Sequence, residues 1–384
     1  IWLDADQGVT GTSTITQWND QSGNGKHVTQ NTSTNQPSLN TASSTMNFHR
    51  SIEMDGDRDF LEANGVMPNQ TDDITFFIVT EADQSSGTFN QLFGMGAFLA
   101  YPHVGFYSTG QVFYSSGTAF PDYRDFNVSE PMRYNEPLIY SGAIDYSTGS
   151  SPSYNYLNGF QNSDTPDVNG EDDHGGDTRF TVGGDDTDED LNGRIAELVL
   201  YNTVLTTTER HQVESYLAIK YGQTLTNNYL NSSAATAYTL DGTYNYGIFG
   251  LAKDLTGELD QRISRSVNDS SGLILSTDTD FTSENATHTD TLSDGDYLLT
   301  GHDNGSVSTT QTTDLSTIFD KRTTREWKVE NTTSSGVINM QFSTLPALAN
   351  GQSYALIGDS DGNFTTGSSV LEYSNSLTFS NVTF

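Results

Sequence analysis

The sequence predicts an all-β protein: two antiparallel β-sandwiches in tandem, with one short helix at the end of the first. Three observations carry this expectation. Runs rich in β-branched and aromatic residues recur along the chain, broken by clusters of Gly and Asp. Lys and Arg together number only 16, and the straight-chain residues that build long helices are scarce. Only one segment carries the start and stop signals of a helix. At 384 residues the chain has room for two or three domains of roughly 100–200 residues each.

Taken in order, the clearest strands of the first half are "IWLD", "SIEMD", "DITFFIVTEA", "QLFGMG" and "HVGFYS", followed by "PLIYSGAIDY" and "RFTVGG". "QSGNGKH" at 21–27 reads as a loop, its two glycines permitting left-handed backbone. In "LNGRIAELVLYNTVL" at 191–205, Ile195, Leu198 and Leu200 keep no single period. That strand is expected to be buried on both faces or bulged. The helix follows, with Thr206 as N-cap and Glu209 completing a capping box. Val213, Leu217 and Tyr221 share a face, and Gly222 closes it. Such a helix suits a lid on a sheet edge or a domain boundary.

Residues 223–240 are rich in Asn, Thr and Ser and read as a linker or loose arm. A second β pattern starts near Tyr244 with "YGIFGLAK", "GLILSTD", "DYLLTGHD", "TREWKVE", "GVINMQF", "SYALIGD" and "LTF". Seven short strands in this stretch point to a second, smaller antiparallel sandwich. The expected organisation is a first domain over 1–225, a linker or arm over 226–243 and a second domain over 244–384.

The formal charge is −34, from 50 acidic and 16 basic residues. A surface this negative repels nucleic acid and anionic membranes and attracts cations. There is no Cys, which removes disulfides, thiolate metal sites and Cys nucleophiles together. No apolar run is long enough to insert into a membrane. The chain opens inside an apparent strand, Ile1-Trp2-Leu3, without Met, as expected of a piece of a longer protein with other domains.

The acidic side chains mass in one place. Between 164 and 190 there are eleven Asp or Glu against one Arg. Calcium takes six to eight oxygen ligands in flexible geometry, and crowded carboxylates favour bound cations. The run lacks the spacing of an EF-hand loop and the repeat of a β-roll. The candidate calcium ligands are Asp172, Asp173, Asp177, Asp186 and Asp188, set against the plainer reading of a solvated surface. In the first loop Asp4, Asp6, Asp20 and Asn24 form a second acidic group, where Asp20 and Asn24 are expected to satisfy turn backbone. Trp2 and Trp18 read as core anchors.

Tyr is dense from 101 to 156, with nine in that span. Flat aromatic faces beside amides and carboxylates suit a polysaccharide or cell-surface glycan. Tyr107, Tyr114, Tyr123 and Tyr154 are the candidate glycan-binding residues, and Tyr154 and Tyr156 share one strand face. Arg124 and Arg133 stand out against a basic-poor background as partners for an acidic sugar.

"IWLDADQGVT", "ITQWNDQSGNGKHVTQ", "QPSL", "SIEMDGDRDFLE" and "ITFFIVTEA", closed by "FTVGG…LNGRIAELVLYNTVLTTTERHQVESYLAIKYGQTL", resemble the concanavalin-like, laminin-G-type jelly-roll domains of large secreted bacterial surface proteins. The likeness covers residues 1 to about 225. "GLAKD", "QRISRSVNDSSGLIL", "LSDGDYLLTGHDNG" and "TREWKVE" resemble a poorly characterised β domain that often follows the first in secreted proteins of Bacteroidetes-like gliding and marine bacteria. The resemblance implies export, a cell-surface or polymer-degrading setting, and calcium in many relatives. Such domains serve as sugar binders, adhesion modules or structural spacers.

Some jelly-roll glycosidases carry paired carboxylates on one strand, and a retaining pair needs about 5 Å between carboxyls. Glu53 and Asp55 in "SIEMDGD" are two apart, giving E-x-D-x-D where the glycosidase pattern ends in Glu. The chain has no H-E-x-x-H and no phosphate loop with Lys. A non-catalytic, secreted calcium-associated glycan-binding or adhesion module is therefore the leading expectation. A spacer without ligand comes next, and a glycoside hydrolase or polysaccharide lyase using Glu53 and Asp55 is the third reading.

Overall fold

The protein is described here by a computed structural model. It covers residues 1–66, 73–83, 89–95, 103–107, 112–115, 123–125, 133–145, 153–162, 179–184, 190–269, 272–332 and 336–384. The chain is essentially all-β, with two sandwich-like units and, among the described residues, a single α-helix. One unit comprises Ile1–Ala42 and His49–Glu214, the other Ser43–Phe48 and Ser215–Phe384. The division falls inside the helix.

In the first unit an eight-stranded and a nine-stranded sheet enclose one core. The strand Ile74–Ala82 is buried at all nine positions. Its β-branched and aromatic run suits a central strand covered on both faces. It lies between Leu138–Ile144 and Asn192–Tyr201. Phe76 from this sheet meets Phe93 from the other edge-to-face, with centroids 5.2 Å apart, and meets Tyr140 at the same distance. Trp18 is fully buried, donating its indole N–H to the Asp4 carbonyl at 2.8 Å. Both expectations for Asn192–Tyr201 hold: seven of its ten residues are buried, on both faces, and its pairing shifts register between Ile195 and Glu197. The extra residue of a bulge breaks the period read from sequence.

The helix Thr207–Tyr221 starts as its capping box requires. The Thr206 backbone N–H donates to Glu209 Oε2 at 2.9 Å, and the Glu209 N–H donates to Thr206 Oγ1 at 3.3 Å. Gly222 follows in left-handed conformation at φ +65°. In the second unit Asn47, itself at φ 51°, donates its amide to the Lys220 carbonyl at 2.9 Å and accepts from the Arg265 N–H at 2.7 Å. That pairing satisfies an open carbonyl at the helix end.

Two four-stranded sheets build the second unit. Leu259–Gln261, Tyr246–Asp254, Asp296–His302 and Trp327–Asn331 form one; Ile263–Arg265, Leu273–Ser276, Ile338–Phe342 and Thr378–Val382 form the other. Phe249, Leu251, Leu275, Met340, Phe342 and Phe379 fill the core. All seven strands expected from the sequence are present. The hairpin Tyr354–Gly358 with Ser369–Ser374 forms a two-stranded sheet of its own.

The segment expected as a linker holds a hairpin, Tyr229–Leu230 with Thr236–Tyr238. Tyr229 and Tyr238 are fully buried, with their rings edge-to-face at 6.2 Å. Asp254 takes hydrogen bonds from the Ser232 N–H and hydroxyl and from the Tyr297 hydroxyl. The polar composition of 226–243 conceals two aromatic anchors.

Candidate functional site

The candidate calcium ligands Asp172, Asp173, Asp177, Asp186 and Asp188 lie outside the described residues. The stretch 185–189 leaves at Gly184 and returns at Asp190, beside an acidic turn. Asp190 Oδ2 accepts from the Arg58 N–H at 2.8 Å, and Asp59 Oδ2 accepts from the Asp55 N–H at 3.3 Å. Burial, and then the nearby charges of Asp55 and Asp57, push the Asp59 carboxyl up to about 6. Among the described residues no group of three or more His, Asp or Glu is gathered for a metal ion.

In the first loop the carboxylates bind backbone. Asp20 Oδ1 accepts from the Trp2 and Ser22 N–H groups, and Oδ2 from the Lys26 N–H. Burial raises its carboxyl pKa, but these bonds outweigh it and bring the value down to about 2. Asn24 donates to Ser22 Oγ at 3.0 Å. Asp6 accepts from the Arg50 N–H at 3.0 Å and pairs with His49 Nδ1. The turn-satisfying role expected for Asp20 matches these bonds. Trp2 is half-buried and donates to Glu197 Oε1 at 2.7 Å.

Glu53 and Asp55 sit on the strand His49–Asp55. Half-buried Glu53 accepts from Asn40 Nδ2 at 2.8 Å and stands in register with Arg194. Across the next strand Arg194 is in register with Glu81, with Nε 3.8 Å from Oε2. Burial pushes the Glu81 carboxyl up, and Arg194 draws it back. A Glu–Arg–Glu row thus crosses three neighbouring strands. Asp55 is exposed, and its Oδ1 accepts from the Asp57 N–H at 2.9 Å, closing the Asp-Gly turn.

Three candidate tyrosines lie on successive hydrogen-bonded strands at one end of the nine-stranded sheet: Tyr107 on His103–Tyr107, Tyr114 on Val112–Ser115 and Tyr123 on Tyr123–Asp125. In backbone register Tyr114 is opposite Val104 on one side and Arg124 on the other, and Tyr123 is opposite Ser115. Their side chains lie outside the description. Tyr154 is half-buried on Ser153–Leu157, a strand of the other sheet. Asn155 between Tyr154 and Tyr156 is buried and accepts from Asn162.

Sequence reasoning missed a polar seat under the helix. Arg210 places its guanidinium carbon 3.6 Å from the centroid of the Tyr156 ring. It also donates to the buried Glu214, which accepts from Ser141 Oγ at 2.7 Å as well. The start of the helix therefore sits on the face of the eight-stranded sheet, over Leu138–Ile144 and Ser153–Leu157, and not on its edge. The four-residue spacing of Arg210 and Glu214 was the available signal, but the same spacing marks ordinary surface pairs.

The second unit contains a cleft of about 1400 Å³. It is lined by the buried core residues Leu275, Met340 and Phe342, by the partly buried Trp327, Leu356 and Leu371 packed against that core, and by the exposed Ile318 and Tyr373. Nearby, Asp359 Oδ1 accepts from the N–H groups of Asp361 and Asn363, and Asp361 Oδ1 also accepts from Asn363. Asp359, Asp361 and the Asn363 amide are the oxygen ligands this loop could offer a hard cation.

Residues 209–384 match the model of a family described as "Domain of unknown function (DUF8202)". No curated protein matches the chain. Among solved structures it is similar to Trypanosoma rangeli sialidase in complex with sialic acid, at 13% identity over 56% of this chain and 32% of that one, TM-score 0.40. It is similar also to domain 4 of an extracellular GH43 arabinanase from Geobacillus stearothermophilus, in complex with arabinotriose, at 13% identity over 48% of this chain and 81% of that one, TM-score 0.33. A third is a heptameric SAP-like pentraxin from Limulus polyphemus, at 12% identity over 38% and 70%, TM-score 0.31. The chain spans about a third of the length of the sialidase it matches.

Proposed function

We propose that the chain is a non-catalytic, extracellular carbohydrate-binding or adhesion module of a larger secreted surface protein, with calcium organising its loops. In this reading residues 1–225 form a concanavalin-like, laminin-G-type jelly roll and 244–384 a second sandwich, as in secreted Bacteroidetes-like surface proteins. The observation that carries the reading is the strip of three neighbouring strands bearing Tyr107, Tyr114 and Tyr123, with Arg124 in register beside Tyr114. Stacking against sugar rings requires aromatic residues held by a scaffold, and strands hold such residues better than loops do; the register sets Tyr107 and Tyr123 on one face of this sheet and Tyr114 on the other. The net charge of −34 supports the calcium part, since cations offset self-repulsion among carboxylates. Asp172, Asp173, Asp177, Asp186 and Asp188 remain the proposed ligands.

A glycan array followed by calorimetry tests this, using the intact chain and its Tyr107→Ala, Tyr114→Ala, Tyr123→Ala and Tyr154→Ala variants. Binding that the variants weaken without moving the melting temperature is the expected result. No signal on any glycan leaves the spacer reading in its place. Turnover of a polysaccharide that Glu53→Gln abolishes replaces it with a hydrolase or lyase.

A further inference from the structure

Asn is followed directly by Gly seven times in the chain. Such a pair carries its own chemistry: the Gly backbone nitrogen is a nucleophile within reach of the Asn side-chain carbonyl carbon. Glycine lacks the Cβ that shields this nitrogen in other residues. Ring closure needs the backbone to leave its hydrogen-bonded geometry, so local stability decides which pair reacts.

The fold holds five of the pairs. Asn158 is buried, and its Oδ1 accepts from the Ile139 N–H at 2.8 Å. Asn192 and Gly193 are fixed in a strand ladder, opposite Asp55 and Met54. The Gly305 N–H after Asn304 donates to Asp303 Oδ1 at 2.9 Å. Asn64 ends a strand, in register with Arg179. Asn350 and Gly351 form a turn closed by two bonds, from the Gln352 N–H to the Ala349 carbonyl and from the Ala349 N–H to Gln352 Oε1. Asn169 lies outside the described residues.

Asn24 is different. It is exposed, and its amide donates to the equally exposed Ser22 hydroxyl. Among the described residues the Gly25 N–H meets no acceptor. Gly23 and Gly25 flank Asn24 at φ +83° and +67°, and no neighbour lies within 4 Å of a Cβ built on either. Neither packing nor a ladder holds this backbone.

We infer that Asn24 is a site of spontaneous covalent modification, cyclising onto Gly25. The Gly25 nitrogen bonds to Asn24 Cγ, the Cγ–Nδ2 bond breaks, and Nδ2 leaves as ammonia with the proton that the Gly25 nitrogen gives up. Water then opens the succinimide at either carbonyl, leaving aspartate or isoaspartate at position 24. Both products add a carboxylate to the loop, and isoaspartate also lengthens the backbone between Ser22 and Lys26. Asp20 organises that loop through the N–H groups of Trp2, Ser22 and Lys26. The modification thus loosens the tie between the loop and the first strand. This goes beyond the glycan reading and does not depend on it.

The test ages the intact chain at mildly alkaline pH, where the amide nitrogen loses its proton more readily, and follows each pair by peptide mass mapping. Asn24 is expected to convert at least about fivefold faster than Asn158, Asn192 or Asn304, the factor that one net hydrogen bond adds to a barrier. Asn64 and Asn350 also lag behind it. In concentrated urea the spread collapses, which assigns it to the fold and not to the neighbouring sequence. Hydrogen exchange gives a second reading: the aged chain exchanges its Trp2 and Lys26 amides faster than the fresh one. Earlier conversion of any of the five held pairs overturns the inference, as does a spread that persists in urea. Unchanged exchange at Trp2 and Lys26 in fully converted chain overturns the loosening.

Discussion

Arg210 donates from one nitrogen, Nη1, to both carboxylate oxygens of Glu214, at 2.7 and 2.8 Å, and both side chains are buried. Burial pushes the Glu214 carboxyl up, while Arg210 and the Ser141 hydroxyl pull against it. Breaking such a pair on one side strands a charge in a dry site, at a cost of about 3–5 kcal/mol. Arg210→Met is therefore expected to destabilise the chain by that amount in urea unfolding. The double variant Arg210→Met/Glu214→Leu recovers most of the loss, because apolar replacement of both partners leaves no orphan. A double variant no more stable than the single one defeats this account.

Asp59 gives the first unit a pH dependence of definite sign. Its folded carboxyl is raised to about 6, against roughly 3.9 for a free Asp. The folded state binds this proton more tightly than the unfolded one. Its contribution to stability is thus full below the unfolded value and is lost as pH rises through about 6. Asp59→Asn removes that titration, so the slope of the urea midpoint between acidic and neutral pH becomes flatter than in the unsubstituted chain. Identical slopes for the two proteins exclude the assignment.

What the sequence disclosed was local. Thr206, Glu209 and Gly222 mark the helix because a cap is a relation among residues three or four apart. The irregular spacing of Ile195, Leu198 and Leu200 announced the bulge. Non-local chemistry stayed hidden. Nothing around Glu214 points to Ser141, 73 residues earlier, and nothing in the Asn- and Thr-rich arm singles out Tyr229 and Tyr238 as buried. The Glu53 environment depends on Arg194 and Glu81, brought together only by strand order. The cleft was illegible for another reason: its lining comes from residues scattered between Tyr244 and Phe384, which no local pattern groups.

Chelation tests the calcium proposal directly. An ion that binds only the folded state stabilises it by mass action. EDTA is therefore expected to lower the melting temperature of the first unit by several degrees, and added calcium to restore it. Asp186→Asn or Asp188→Asn should shrink the EDTA effect. An unchanged melt, with elemental analysis finding no bound metal, removes calcium from the account.

Gly222 and Gly242 separate two costs that substitution by alanine usually mixes. Both have positive φ, +65° and +87°, where a Cβ costs roughly 1–2 kcal/mol from backbone conformation alone. At Gly242 nothing lies within 4 Å of the added atom, so Gly242→Ala should show only that cost. At Gly222 the Cβ would stand 2.2 Å from the Arg265 carbonyl oxygen and 3.1 Å from Asn47 Cγ. Relief requires moving the backbone where Asn47 bonds the Arg265 N–H and the Val267 N–H bonds the Gly222 carbonyl. Gly222→Ala is thus expected to lose clearly more stability than Gly242→Ala in the same thermal melt. The excess measures how tightly the helix end is held against Arg265; equal losses mean that the close approach relaxes at no cost.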